Sequence, residues 1–241
     1  MVKRVLVFDI ETLGVLGERE RAAIEPLALR RESTPEEYAS LCPPLARVAT
    51  VAWYDVETAA LTVALDASLA PPGEIATRLE VRDPVAGQPA RSCVVRSCAG
   101  EAELLATVGA AFEEHCGPGD AWLVSYNGRG FDLPVLLHRG AVLGVEPGRA
   151  TWLRAMRDNR NTPSAHVDLM DVFTFCGAGG RWPLAAYAIG YGAESPKAEM
   201  DGSQVGAAIR SGRIVEVARY CATDVLTTAY LYNRTLPLIR T

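Results

Sequence analysis

The 241-residue chain has no C-x-x-C pair. Its six cysteines, Cys42, Cys93, Cys98, Cys116, Cys176 and Cys221, are scattered, and no histidine lies near the closest two, Cys93 and Cys98. Zinc-ligand spacing is therefore absent, and buried thiols fit better than a disulfide framework. Lysine is scarce: Lys3 and Lys197 are the only two among 24 basic residues. Neither stands in a G-x-x-x-x-G-K-S/T loop, which excludes a P-loop, and Gly128-Arg129-Gly130 is too short for a dinucleotide fingerprint. No run approaches the roughly 20 apolar residues of a membrane helix, so no membrane partner is expected. The opening strand pattern carries Asp9 and Glu11 where a signal peptide would be apolar, so a cytoplasmic address is expected. The net charge of −5 argues against binding nucleic acid through bulk electrostatics. It leaves room for a nuclease whose acids are neutralised by cations.

What is present reads as a single α/β domain over 1–241. Lys3 to Ile10, Val48 to Tyr54 and Leu61 to Leu65 are β-prone apolar runs. Glu101 to Cys116 has apolar residues at helical spacing and stops at Gly117-Pro118-Gly119. A strand over Trp122–Tyr126, a helix over Leu133–Leu143 and a short strand at His166–Asp168 follow. Helical patterns near 182–190, 203–211 and 213–234 complete the chain. This order suits a mixed sheet with helices on both faces. Residues 17–47, with one short helix around 35–41, and the proline-bearing 66–100, with a small hairpin near Ser92–Arg96, are expected to be insertions.

Three motifs carry chemistry. In Phe8-Asp9-Ile10-Glu11-Thr12, strand alternation sends Asp9 and Glu11 to one side. There they are either solvated at a strand end or compensated by a hard cation such as Mg²⁺ or Mn²⁺. In Asn127 to Pro134, Asp132 stands where a helix N-cap belongs, and a cap or a metal ligand would each explain it. In Tyr220-Cys221-Ala222-Thr223-Asp224, Tyr220 and Asp224 share a helix face. Arg149, Arg154, Arg157 and Arg160, with Arg129, Arg139 and Arg181, are candidates for phosphate contacts or for a solvated basic face. Asp168 and Asp171 read as structural or supporting acids.

Taken jointly, D-x-E, N-G-x-x-F-D-x-P and Y-C-x-x-D resemble the motifs of DEDD exonucleases in the ribonuclease H-like superfamily. The likeness is closest to the proofreading domain of family B DNA polymerases. His166 to Asp171 and Met200 to Val205 resemble a stand-alone bacterial family related to it. The histidine branch would place its histidine at position 219, where this chain has Arg219, so the tyrosine (DEDDy) type is favoured.

The resemblance implies a ribonuclease H-like mixed five-stranded sheet and a metal-dependent 3′–5′ exonuclease. Two divalent cations, Mg²⁺ or Mn²⁺, would be held by Asp9, Glu11, Asp132 and Asp224, with Tyr220 placing the attacking water. Thr12, Leu13, Asn127 and Phe131 would meet the substrate, a nucleic acid with a free 3′ end. Single-stranded DNA is expected rather than RNA. The competing readings are a binding module that kept the fold but lost catalysis, and an endonuclease of the ribonuclease H type.

Overall fold

Alternation along one strand divides the molecule into two cores. β1 (Arg4–Gly14) sends Leu6, Phe8 and Ile10 to one side, and Val5, Val7 and Leu13 to the other. The first side packs on α3 (Glu101–Cys116) and α4 (Asp132–Leu143) through Leu104, Phe112 and Leu136. The second packs on α9 (Ile214–Arg234) through Val217, Ala218 and Val225. The computed structural model describes residues 4–71, 73, 75–117, 121–195 and 200–239, so Lys3, Pro118, Gly119 and Lys197 of the sequence reading lie outside the described residues.

β2 (Ala46–Asp55) and β3 (Ala60–Asp66) form an antiparallel meander with β1. β6 (Ala121–Ser125) runs parallel to β1, and β7 (His166–Asp168) parallel to β6. The sheet is mixed with helices on both faces, as expected, but among the described residues it has seven strands rather than five. Its order is β4-β5-β3-β2-β1-β6-β7. The two additional strands come from 66–100: β4 (Arg78–Val81) pairs with β5 (Arg91–Cys98), which runs parallel to β3. The hairpin expected near Ser92–Arg96 is thus larger and part of the main sheet. Four prolines in that stretch and mostly exposed β5 side chains leave little apolar alternation to read.

Residues 17–47 also hold more order than expected. α2 (Pro35–Ser40) begins at a capping box in which Thr34 and Glu37 exchange hydrogen bonds, with proline in the first turn. A second helix precedes it, α1 (Glu18–Leu29), built from good helix formers apart from Pro26. Only Ala28 of α1 is buried, so no apolar stripe announces it. This arm is fastened to β1. Thr12 Oγ1 donates to the Ser40 carbonyl at 2.7 Å, and a Cβ on Gly14 would lie 2.0 Å from the Glu36 carbonyl oxygen. Gly14→Ala should therefore lift the arm and cost about 1–3 kcal/mol in urea unfolding.

Candidate active site

β1 outlasts its parallel neighbour. Its pairing with β6 ends at Val7↔Val124, whereas its pairing with β2 continues to Gly14. Asp9 and Glu11 thus lie at the carboxyl ends of the parallel strands, where open α/β sheets form their crevice. They face the α9 side, in step with Val5 and Val7.

The turn after β6 brings the next acid. Asn127 takes the left-handed conformation (φ 66°), which asparagine tolerates. A Cβ on Gly128 would lie 2.2 Å from Ser125 Oγ, so only glycine fits there without displacement. Asp168, at the end of β7, accepts the Asn127 amide at 2.8 Å and the Arg129 amide at 2.9 Å. This cradle delivers Asp132 to the first position of α4, with Phe131 in the cap position that the sequence assigned to Asp132. Asp132 is 3 % exposed, and its Oδ1 has no hydrogen-bond partner among the described residues.

α9 closes the site. Cys221 Sγ donates to the Asp9 carbonyl oxygen at 3.4 Å and to Asp9 Oδ2 at 3.6 Å, seating the helix on the strand at the first acid. Tyr220 and Asp224 then arrive on the same turn. One carboxylate oxygen each from Asp9, Glu11 and Asp224 lies within 4.8 Å of the others.

The electrostatics are those of crowded acids. Burial raises Asp9 well above the usual carboxylate range, and the charges of Asp132, Glu11 and Asp224 push it further. Glu11 is raised in the same way, by burial and then by Asp224 and Asp132. Asp132 is pushed up to about 7, chiefly by burial, with backbone hydrogen bonds opposing. Tyr220 is raised by burial and then by Asp224, Glu11 and Asp9, so its phenol stays protonated at neutral pH. The all-oxygen set of Asp9, Glu11 and Asp224, mutually repelling, fits a hard divalent cation; Asp132, with a bare buried oxygen, adds its charge to the site but stands outside that three-acid grouping.

Beside the acids opens a cleft of about 460 Å³, lined by Glu11, Thr12, Phe131, Ser33, Ser203 and Arg210 among others. Its walls are α2 with the residues that flank it and the segment leading through Gly202–Gln204 into α8 (Val205–Arg210). Asp201 caps that segment in a capping box with Gln204, and a Cβ on Gly202 would lie 3.9 Å from the Tyr220 hydroxyl. A helix beginning near residue 203 was readable in the sequence. Its place beside Tyr220 was not, because nothing local encodes it.

Residues 94–239 match the family described as a predicted 3′–5′ exonuclease related to the exonuclease domain of PolB. The chain belongs to that family. The matched span contains Asp132, Tyr220 and Asp224, while Asp9, Glu11 and the α1–α2 arm precede it. No curated protein matches the chain. Among the described residues, no helix is long and apolar enough to cross a membrane.

The other candidates of this family member divide by position. Thr12 and Phe131 line the cleft. Leu13 does not: it is 4 % exposed and packs in the core on the α9 side, because β1 runs on through Gly14. Asn127 is half-buried, with its amide held by Asp168. Three arginines offered for phosphate contacts are committed to internal acids. Arg129 is buried on Asp171 and the carbonyls of Met156 and Asp158, Arg139 grips Glu101 at 2.6 and 2.8 Å, and Arg160 grips Asp171 at 2.6 Å. Arg149 pairs with Glu146, and the run from Arg149 to Arg154 lies on a helix, α5 (Arg149–Met156), with Trp152 in the core. Arg157 and Arg181 are exposed. His166 is buried against Ser125 at 2.8 Å and pushed down to about 3 by burial and the Arg129 charge, so it is neutral and apart from the acids.

Proposed function

We propose that the chain, as a single domain over 1–241 with a ribonuclease H-like core, is a metal-dependent 3′–5′ exonuclease of the DEDDy type acting on single-stranded DNA. The observation that carries this is the meeting of Asp9, Glu11 and Asp224 within 4.8 Å in a member of an exonuclease family. Asp9, Glu11, Asp132 and Asp224 are the residues to hold two divalent cations, Mg²⁺ or Mn²⁺. When bound, these would stabilise charge on the entering and departing oxygens of an in-line displacement at phosphorus. The rest falls to the chain. Tyr220, with its pKa raised, is unsuited to removing a proton, so its hydroxyl orients the attacking water by hydrogen bonding. Thr12 and Phe131 bound the cleft that takes the 3′-terminal nucleotide, the ring offering a stacking surface. Asn127 holds the turn that aims Asp132.

The test is digestion of 5′-labelled DNA and RNA strands with Mg²⁺, Mn²⁺ or EDTA, free or blocked at the 3′ end. Stepwise shortening of free DNA ends, silent in EDTA and absent on blocked ends, is expected. Cutting of blocked strands would point to an endonuclease. Persistence in EDTA would refute the cation mechanism, and binding without digestion would leave only a nucleic-acid-binding module.

A further inference from the structure

We propose that the loop beyond β6 and β7 that carries the exposed Trp182 binds the single strand on the 5′ side of the scissile bond. This rests on the exonuclease reading and adds where the remainder of the substrate lies. α2, one wall of the cleft, packs on β1 and β2. A strand whose last nucleotide occupies that cleft must leave the acids on the other side. In the sheet order β2-β1-β6-β7, that side is the ends of β6 and β7.

A cluster of aromatic rings stands there, mostly packed on the core, with Tyr191 and Trp182 exposed. Tyr126 is the first residue past β6, and its ring lies 6.2 Å from both Phe173 and Tyr187. Phe173 meets Tyr187 at 4.3 Å and Tyr191 at 6.0 Å. The Tyr126 hydroxyl donates to the Trp182 carbonyl, tying the glycine-rich loop 177–182 to the strand whose next turn aims Asp132. Trp182 is 62 % exposed, whereas Trp53, Trp122 and Trp152 are at most 9 % exposed. Its indole lies close to the main chain of Gly180, where a Cβ would come 3.4 Å from Nε1. Arg181, the residue before it, is also exposed.

A large indole left in water, next in sequence to an exposed arginine and on a loop pinned to the turn that aims Asp132, has the composition of a base-stacking platform with a phosphate contact. Every base presents a π-face, so this grip would be indifferent to sequence. It would also favour unpaired strands, since duplex bases are already stacked.

The experiment compares Trp182→Ala and Trp182→Phe with the wild-type protein on a dinucleotide and on a long single strand. Trp182→Ala should raise KM for the long strand roughly tenfold, leave its kcat unchanged, and leave dinucleotide hydrolysis as it was. Trp182→Phe should restore most of the loss. Separately, adding the long single strand in EDTA should quench the indole emission of the wild-type protein, and Trp182→Phe should abolish that response. Equal effects on both substrates, or no effect and no quench, would overturn the platform. If the wild-type protein hydrolyses neither substrate, the exonuclease reading fails. The quench still decides the platform: its absence refutes it and its presence sustains it.

Discussion

Replacing Asp9 by asparagine should all but abolish hydrolysis while making the cation-free protein more stable. Hydrolysis should fall about a thousandfold or more, because Asp9 is central to the proposed cation site. The gain in stability follows from the same position. Burial raises Asp9 and the charges of Asp132, Glu11 and Asp224 raise it further, so neutralising it relieves desolvation and repulsion, while the amide oxygen of asparagine can still accept from Cys221.

The effect has a pH signature. Asp132 titrates at about 7 in the folded protein against 3.8 unperturbed. Between those values the folded state keeps a proton that the unfolded chain has released. Cation-free stability is therefore full below the lower value, falls as pH rises through about 7, and levels off above it. Asp9 and Glu11, both raised, act in the same direction. Cations favour the ionised acids, so the stabilisation by Mg²⁺ should grow across the same interval. Thermal melts at about pH 5 and about pH 8, with Mg²⁺ or EDTA, read all of this. An Asp9→Asn protein that melts below wild type in EDTA, or gains as much from Mg²⁺, would contradict the cluster as a cation site.

Asp168→Ala should lower activity and stability together, in contrast to Asp9→Asn. Its carboxylate accepts the amides of Asn127, Arg129 and Met170 at 2.8, 2.9 and 2.9 Å. Removing it strands three donors, two of them in the turn that aims Asp132. A loss of about 3 kcal/mol or more is expected in urea unfolding. Activity should fall too, because the turn can relax and carry Asp132 away. Unchanged stability would show that water or a neighbour replaces the carboxylate.

These two variants mark what the sequence made legible. Each chemical motif is local: strand alternation pairs Asp9 with Glu11, and helix spacing pairs Tyr220 with Asp224. Strand and helix boundaries in the main sheet follow from dense apolar runs, so α3 falls at Glu101–Cys116, as read. The failures share the opposite property. α1 is almost wholly exposed and β5 largely so, and each depends on a neighbour rather than on its own periodicity. Arg139 looks like any surface arginine until Glu101, 38 residues away, folds beneath it. The cleft beside Glu11 belongs to the same class, since its walls are brought from separate stretches of the chain.

The contact between Cys221 and Asp9 joins residues 212 positions apart. β1 also lies between β2 and β6 in the sheet and needs α9 over its outward acids. Contacts of such long range form slowly, because the loop they close must be ordered before they repay it. While the chain is being synthesised, β1 is available long before its covering helix exists. A growing chain therefore holds Asp9 and Glu11 without Asp224 or Tyr220, and has no complete cluster until α9 has docked. On the exonuclease reading, catalytic competence would thus appear as one late event in folding.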